Sequence, residues 1–529
     1  MARSPSGPLT WPAAPLHWQL GRLPLGEASC FLRRPCFTRN RFGWIRSMGD
    51  DVLVFAKPRD TDVANKQEFV SLRFAKLNRR RGSMLRRLYY RNGLSIVGLL
   101  WLGGSVLALQ TPGGQNTLSP AEVTEGWLQL FDGQTLFGWQ AVPEGAWQVA
   151  EGELRANPSQ VAPPEQTPKP AQTSKAEQPP SANISTGEEP KLAQPTKAEQ
   201  LGPSGSPAKL VSTSQWADFV LRMDFRTTPG SRASLLLRTG PEEAVPGKPS
   251  QEGYELVLAS EDPSAWPVGS LKGRKKASSA ALPPGWHTLE ARLESESITV
   301  QVDGQEVLRS ADPQPIRRGH LALQVQAGPA AFRNIKLRPL GLRSIFTGKD
   351  LTGWKEYPQT PTKCTVTPEG YLRLQGGRGQ LESQGQYADF TLQLEVFVNG
   401  QGLNSGVFFR CIPGESMNGY ECQIHNGFLD GDRSKPKDCG TGGIFRRQNA
   451  RRVVADDFQW FTLTIHAHGA HIATWVNGYP VADWTDTRPA DPNPRKGRRL
   501  EAGTLQFQGH DPTTDLMFRN IRIAELPAR

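Results

Sequence analysis

The chain has 529 residues, 37% of them hydrophobic, with a formal charge of +11 and a pI near 9.4. That length exceeds a single core and calls for two or three domains. Of the 62 basic and 51 acidic residues, 18 and 6 lie in residues 1–108, leaving 44 and 45 for the rest; the basic character belongs to the leader, which removes nucleic acid as a partner.

Within the leader, the charged run Met84 to Gly93 (MLRRLYYRNG) precedes the apolar run Leu94 to Ala108 (LSIVGLLWLGGSVLA), with small residues before a possible cut after Ala108. This is the three-part pattern of a secretory signal over 84–108, and the apolar run is shorter than the ~20 residues of a spanning helix. Residues 1–83 show no sustained amphipathic period. Either they are non-native text upstream of a start at Met84 or Met48, or they form a tail before a signal anchor. Such an anchor is the only membrane contact foreseen. A secreted, periplasmic or cell-surface location is expected.

The chain after the leader repeats itself in order. Leu128 to Gln140 (LQLFDGQTLFGWQ) matches Arg343 to Lys355 (RSIFTGKDLTGWK), and Ser212 to Arg226 matches Glu382 to Phe397 around a shared ADF. Ser234 to Arg238 (SLLLR) matches Gly406 to Arg410 (GVFFR), and Gly253 to Leu258 (GYELVL) matches GYECQI. Ala331 to Leu340 (AFRNIKLRPL) matches Met517 to Leu526 (MFRNIRIAEL). Two copies follow, at 120–340 and 341–529. Short alternating runs such as DFVLRMDF and HIATWV, with turns at Asp303-Gly304 and Asn477-Gly478, read as antiparallel hairpins, and helical period is nearly absent. Each copy is expected to be all-β, two packed antiparallel sheets with one concave. The first copy carries an insert at 158–207, rich in Pro, Gln, Lys and Ser, that lacks the apolar residues to fold and is expected to be a disordered tether.

The second copy holds the most polar hairpin. In Leu403 to Gly443 the runs VFFRC and YECQI flank a turn-rich loop; Phe408 and Arg410 share one parity, Glu421 and Gln423 another. Four cysteines remain outside the leader, Cys364, Cys411, Cys422 and Cys439. Bridging or burial is expected of them, with Cys411 and Cys422 facing across the hairpin, and no metal spacing is present. The histidines His466, His468 and His471 have mixed parity, which argues against a metal site.

The ordered set FDGQTLFGW and FTGKDLTGW, YADF, LNSGVFFR, GYECQI, WVNG and FRNIRI resembles the 3-keto-disaccharide hydrolase family, also described as 3-keto-glucoside 1,2-lyase and 3-keto-2-hydroxy-glucal hydratase domains. The resemblance covers all of the second copy and, more faintly, the first. It implies two concanavalin-A-like jelly-roll sandwiches in tandem, acting on or binding an oligosaccharide or 3-keto-glycoside. No cofactor is called for, and participation of a divalent metal is left open.

A ketone at C3 acidifies the C2 proton, so a base can remove it and the C1 oxygen can leave. That chemistry needs a base, a proton donor and groups that hold the enolate oxygen. The candidates are Glu421, His510 and His425 as acid or base and Arg410 as clamp, with Asn404, Ser405, Gln423, Asn426 and Gln506 reading hydroxyls. The family pattern often places Asp where Asn426 stands. The first copy keeps Arg238 and Glu255 at the places of Arg410 and Glu421, so those two also read as a cross-strand ion pair. It has Arg232, Ala233 and Val257 for Asn404, Ser405 and Gln423, and no counterpart of His510. The first copy is therefore expected to be structural or a weak sugar binder. A non-catalytic carbohydrate-binding or adhesion role for the whole chain is the alternative.

Overall fold

The computed structural model describes residues 46–47, 50–51, 114–156, 207–240, 253–260 and 262–528. The signal-like segment at 84–108, Cys30 and Cys36, and all but the last residue of the 158–207 insert lie outside them. Met1–Ser105 is a separate unit, in which Arg46–Ser47 pairs antiparallel with Asp50–Asp51. Among the described residues no helix is long and apolar enough to cross a membrane. The helix Pro120–Glu125 is closed at its start by a capping box between Ser119 and Glu122 and at its end by Gly126 at φ +85°.

Val106–Arg529 contains two β-sandwiches built to one plan. Each sets a five-stranded antiparallel sheet against an eight-stranded one. In the first, the smaller sheet runs Tyr254–Ala259, Arg232–Thr239, Gly319–Ala327, Ala208–Trp216, Trp139–Val142. In the second it runs Tyr420–Ile424, Ser405–Cys411, Gly503–Gly509, Gly379–Tyr387, Trp354–Lys355. The spatial order is the same in both, as the repeated strings require. Asp303, Gly304, Asn477 and Gly478 all have positive φ, the type I′ geometry that lets a two-residue turn follow the twist of its strands. Alternation in the large-sheet strands sends Leu289, Ala291 and Leu293, and likewise Leu392, Leu394 and Val396, into the sandwich interiors.

The four cysteines in the second copy are free thiols. The expectation that Cys411 and Cys422 oppose one another fails on register: Val407 stands across from Cys422. Burial raises both thiols' pKa far above the ordinary range, so they serve as small apolar fillers.

The sandwiches share a buried seam. Trp216 stacks on His466 at 4.4 Å and lies 5.8 Å from Trp475, whose Nε1 donates to the Gln129 carbonyl at 3.0 Å. His466 Nε2 meets the Gln215 carbonyl at 2.8 Å, and the Gln215 amide donates to His468 Nε2 at 3.1 Å. Arg318 pairs with Asp389 across the seam at 2.6 Å. Burial holds His466 down to about 3 and His468 well below its usual value. Two histidines kept neutral in the fold but free to charge when unfolded give the unfolded state more protons below pH ~6.5. Stability is therefore expected to fall as pH drops from ~6.5 towards 3, measured by denaturant titration across that window. His466→Gln should make the slope shallower, whatever it does to stability at neutral pH.

Candidate functional site

In the second sandwich the outer face of the small sheet carries a row of side chains across all five strands. Lys355 pairs with Glu382, Glu382 with Gln506, Gln506 with Phe408 and Phe408 with Glu421. Two residues along, Gln380 pairs with Gln508, and Gly406 with Gln423. Period-two alternation places the polar groups here and Val407, Phe409, Leu505 and Phe507 in the core.

Half of this face is roofed. The loop 412–419 is held down by Glu382, which accepts from Thr504 Oγ1 at 2.6 Å, Gln506 Nε2 at 3.1 Å, the Gly414 amide at 3.1 Å and the Tyr357 hydroxyl. Those donors outweigh burial and hold the Glu382 carboxyl below its usual value. Gln506 also donates to the Glu415 carbonyl at 2.9 Å and accepts from the Met417 amide at 2.8 Å. Gln506, expected to read hydroxyls, is consumed in holding the roof.

The open end lies at the edge strand. A cleft of about 530 Å³ is lined by Glu421, Phe445, Arg447 and Arg495, among others. Glu421 is 4% exposed, and its Oε2 accepts from Arg495 Nη2 at 2.8 Å. Its other oxygen lies over Gly406, where a Cβ would come within 2.8 Å of it. Burial raises the Glu421 pKa; Arg495 opposes this, Asp438 adds to it, and charge on His510 lowers it. Gln423 Nε2 donates to Asn404 Oδ1 at 3.2 Å and to Asp438 Oδ2 at 3.1 Å, and Asn404 itself donates to Asp438. The amide oxygens of Gln423 and Gln508 are buried without a partner. Unmet acceptors of that kind fit ligand hydroxyls.

His510 continues the parity of Gln506 and Gln508 beyond its strand. Its Nδ1 meets Asp511 Oδ2 at 2.8 Å, and the Thr513 hydroxyl and His510 hold Asp511 at about 2. A carboxylate there makes Nδ1 the protonated nitrogen and leaves Nε2 free to take or give a proton. His425 continues the parity of Glu421 and Gln423, and its Nδ1 accepts from the Gly427 amide at 3.1 Å.

Three other expected site residues are committed elsewhere. Arg410 does not share the face of Phe408. A bulge between Phe408 and Cys411, with Arg410 at φ +50°, turns it out of the alternation. Its guanidinium is fully buried, donating to the carbonyls of Ala388 at 2.7 Å, Gly469 at 2.7 Å and Arg499 at 3.1 Å and to Asp389 at 3.1 Å. Arg238 repeats this on Ala217, Ile316 and Asp218, so the arginine is a staple of the sandwich and no sugar clamp. Ser405 donates to the Gln508 carbonyl at 2.8 Å inside the sheet. Asn426 bridges Thr441 and Asp457 at 2.6 and 3.0 Å.

Sequence reasoning missed Arg495, Glu382 and Asp438. The first copy offers a signal for one of them: Val211 stands where Glu382 does. Its row reads Val211, Ala322, Leu236, Glu255, and Ser234, in the place of Gly406, donates to Glu255 Oε1 at 2.7 Å. Arg495 belongs to a longer loop. Residues 487–498 join two anchors on Tyr420, Asp486 and Arg499, that in the first copy are joined by residues 313–315 on Tyr254.

No curated protein matches the chain. Among solved structures, one from Parabacteroides distasonis ATCC 8503, assigned as a candidate glycosyl hydrolase, is 14% identical, covering 43% of this chain and 99% of its own with a TM-score of 0.30. A second from the same organism with the same assignment is 22% identical over 35% of this chain and 99% of its own, TM-score 0.28. The carbohydrate-binding module CBM66 from Bacillus subtilis is 16% identical over 33% and 97%, TM-score 0.25. None of these likenesses bears on function. Residues 126–338 and 341–524 each match the 3-keto-alpha-glucoside-1,2-lyase-like domain; the chain belongs to that carbohydrate-active family, as two tandem copies.

Proposed function

We propose that the protein cleaves 3-keto-glycosides by elimination, using the open end of the second sandwich's small sheet. The observation that carries this reading is that Glu421, a buried carboxyl, and His510, fixed through Nδ1 by Asp511 and continuing the parity of Gln506 and Gln508, belong to the same face of the small sheet. His510 Nε2 takes the C2 proton, and the electrons of that bond form the enolate of the C3 ketone. The enolate collapses to a C1=C2 double bond, the C1–O bond breaks, and the departing oxygen takes the Glu421 proton. Asn404, Gln423 and Gln508 receive the sugar hydroxyls. Water adding its oxygen to C1 and a proton to C2 completes hydration. The Leu94 to Ala108 segment supports an exported protein, where such glycans are met.

A second reading, sugar binding without turnover, draws on one observation: Arg495 already occupies one oxygen of Glu421. Release of aglycone from a 3-keto-glucoside by the full chain separates the two. Turnover is expected, and His510→Ala should lower kcat/KM about 100-fold and remove the basic group from the pH–rate profile. Binding of the 3-keto-glucoside with no aglycone released would leave only the second reading.

A further inference from the structure

The cleft beside Glu421 is walled by guanidinium groups with too few anions to meet them. Arg446, Arg447 and Arg495 all line it. Among the described residues Glu421 is the one carboxylate of the wall, and Arg495 holds it. Arg447 spends its donors on the carbonyls of Arg495 at 2.8 Å and Arg446 at 3.2 Å. The exposed Arg446 guanidinium lies 5.2 Å from the Phe445 ring and makes no ion pair among the described residues. Burial and the charges of Arg488 and Arg495 act against the Arg447 charge, while Asp486 favours it without forming an ion pair with it.

The first copy shows the neutralised version. Leu271 bridges to Lys275 as Ile444 bridges to Gln448, which sets Arg274 in the place of Arg447. Arg274 pairs with Asp312 at 2.9 Å. The matching carboxylate in the second copy, Asp486, is taken by Arg488 at 2.8 Å. Thus, among the described residues, Arg447 has no direct ion pair of the Arg274–Asp312 kind, and Arg446 and Arg495 stand around the same opening.

We infer that the glycan bound in this cleft is anionic, carrying a sulfate ester or a carboxylate that sits between Arg446 and Arg447 next to the bond facing Glu421. The inference rests on the carbohydrate reading above and adds the charge class of the ligand. Planar guanidinium forks suit both groups. The unmet amide oxygen of Gln423, two residues along the strand from Glu421, favours a hydroxyl-rich ligand over a nucleic acid.

The test measures binding of the full chain to a sulfated oligosaccharide, an oligouronate and a neutral oligosaccharide of equal length, by calorimetry at two salt concentrations. At low salt at least one anionic probe should bind about tenfold or more tighter than the neutral one, with the margin shrinking as salt is added. The tighter of the two identifies sulfate or carboxylate as the group. Arg447→Gln should bring the charged-to-neutral ratio towards one. Arg446→Ser, at an exposed side chain, should do so in part and guards against a folding defect in the first variant. Equal affinity for neutral and anionic probes overturns the inference and leaves the sugar reading standing; so does a ratio that neither variant changes. An oligothymidylate bound as tightly through the same arginines overturns it in favour of a general polyanion surface. Binding of no saccharide at all overturns the carbohydrate reading and the inference together.

Discussion

Arg410→Met is expected to lower the unfolding free energy by about 3–5 kcal/mol, the cost typical of breaking a buried ion pair from one side. The substituted side chain fills similar space but leaves the carbonyls of Ala388, Gly469 and Arg499 without their donor. Asp389 keeps Arg318 and the Gly469 amide, which sets the loss at the lower part of that range. Arg238→Met should act alike in the first sandwich, since the same three kinds of bond are made there. Urea titration checks both. A change below 1 kcal/mol at Arg410 would remove the staple role and return this residue to the list of ligand-binding candidates.

Glu421→Gln is expected to cut kcat on a 3-keto-glucoside by about 10³–10⁴, the upper part of what a positioned acid contributes. An amide keeps the shape but has no proton of suitable acidity for the departing oxygen. The same change should leave the fold intact and alter its pH response. Because burial raises the Glu421 pKa, the folded state holds a proton that the unfolded state has released. Stability therefore declines as pH rises from ~4.3 through the raised value, and Gln removes that decline. Activity and the pH slope of stability, measured on one variant, thus separate a chemical role from a packing role. A Gln variant with full turnover would dismiss Glu421 as the acid.

The tandem architecture was legible because duplication writes each strand twice: SLLLR against GVFFR and GYELVL against GYECQI give equivalent strands in equivalent sheets. The I′ turns were legible because Asp-Gly and Asn-Gly accept positive φ at both positions. Arg410 was misplaced because a bulge adds one residue to the alternation, and nothing in VFFRC distinguishes a bulged arginine from an outward one. Its recurrence as Arg238 in a copy that lacks counterparts of Asn404, Gln423 and His510 was the hint of a structural role. The cysteine pair failed for a related reason, since the loop 412–419 sets a register that Cys411 lies beyond. Arg495 was invisible because it reaches Glu421 from a loop remote in sequence, and Gln506 looked available because the loop that covers it has no signature of its own.

The shared seam makes each half part of the other's shelter from water. Trp475 and Ala473 of the second copy are part of the first copy's apolar core, so the first copy shields its neighbour from water. Removing the first half would strand an indole and a pair of imidazoles in solvent, so residues 341–529 alone are expected to be less soluble and less stable than the same half within the full chain.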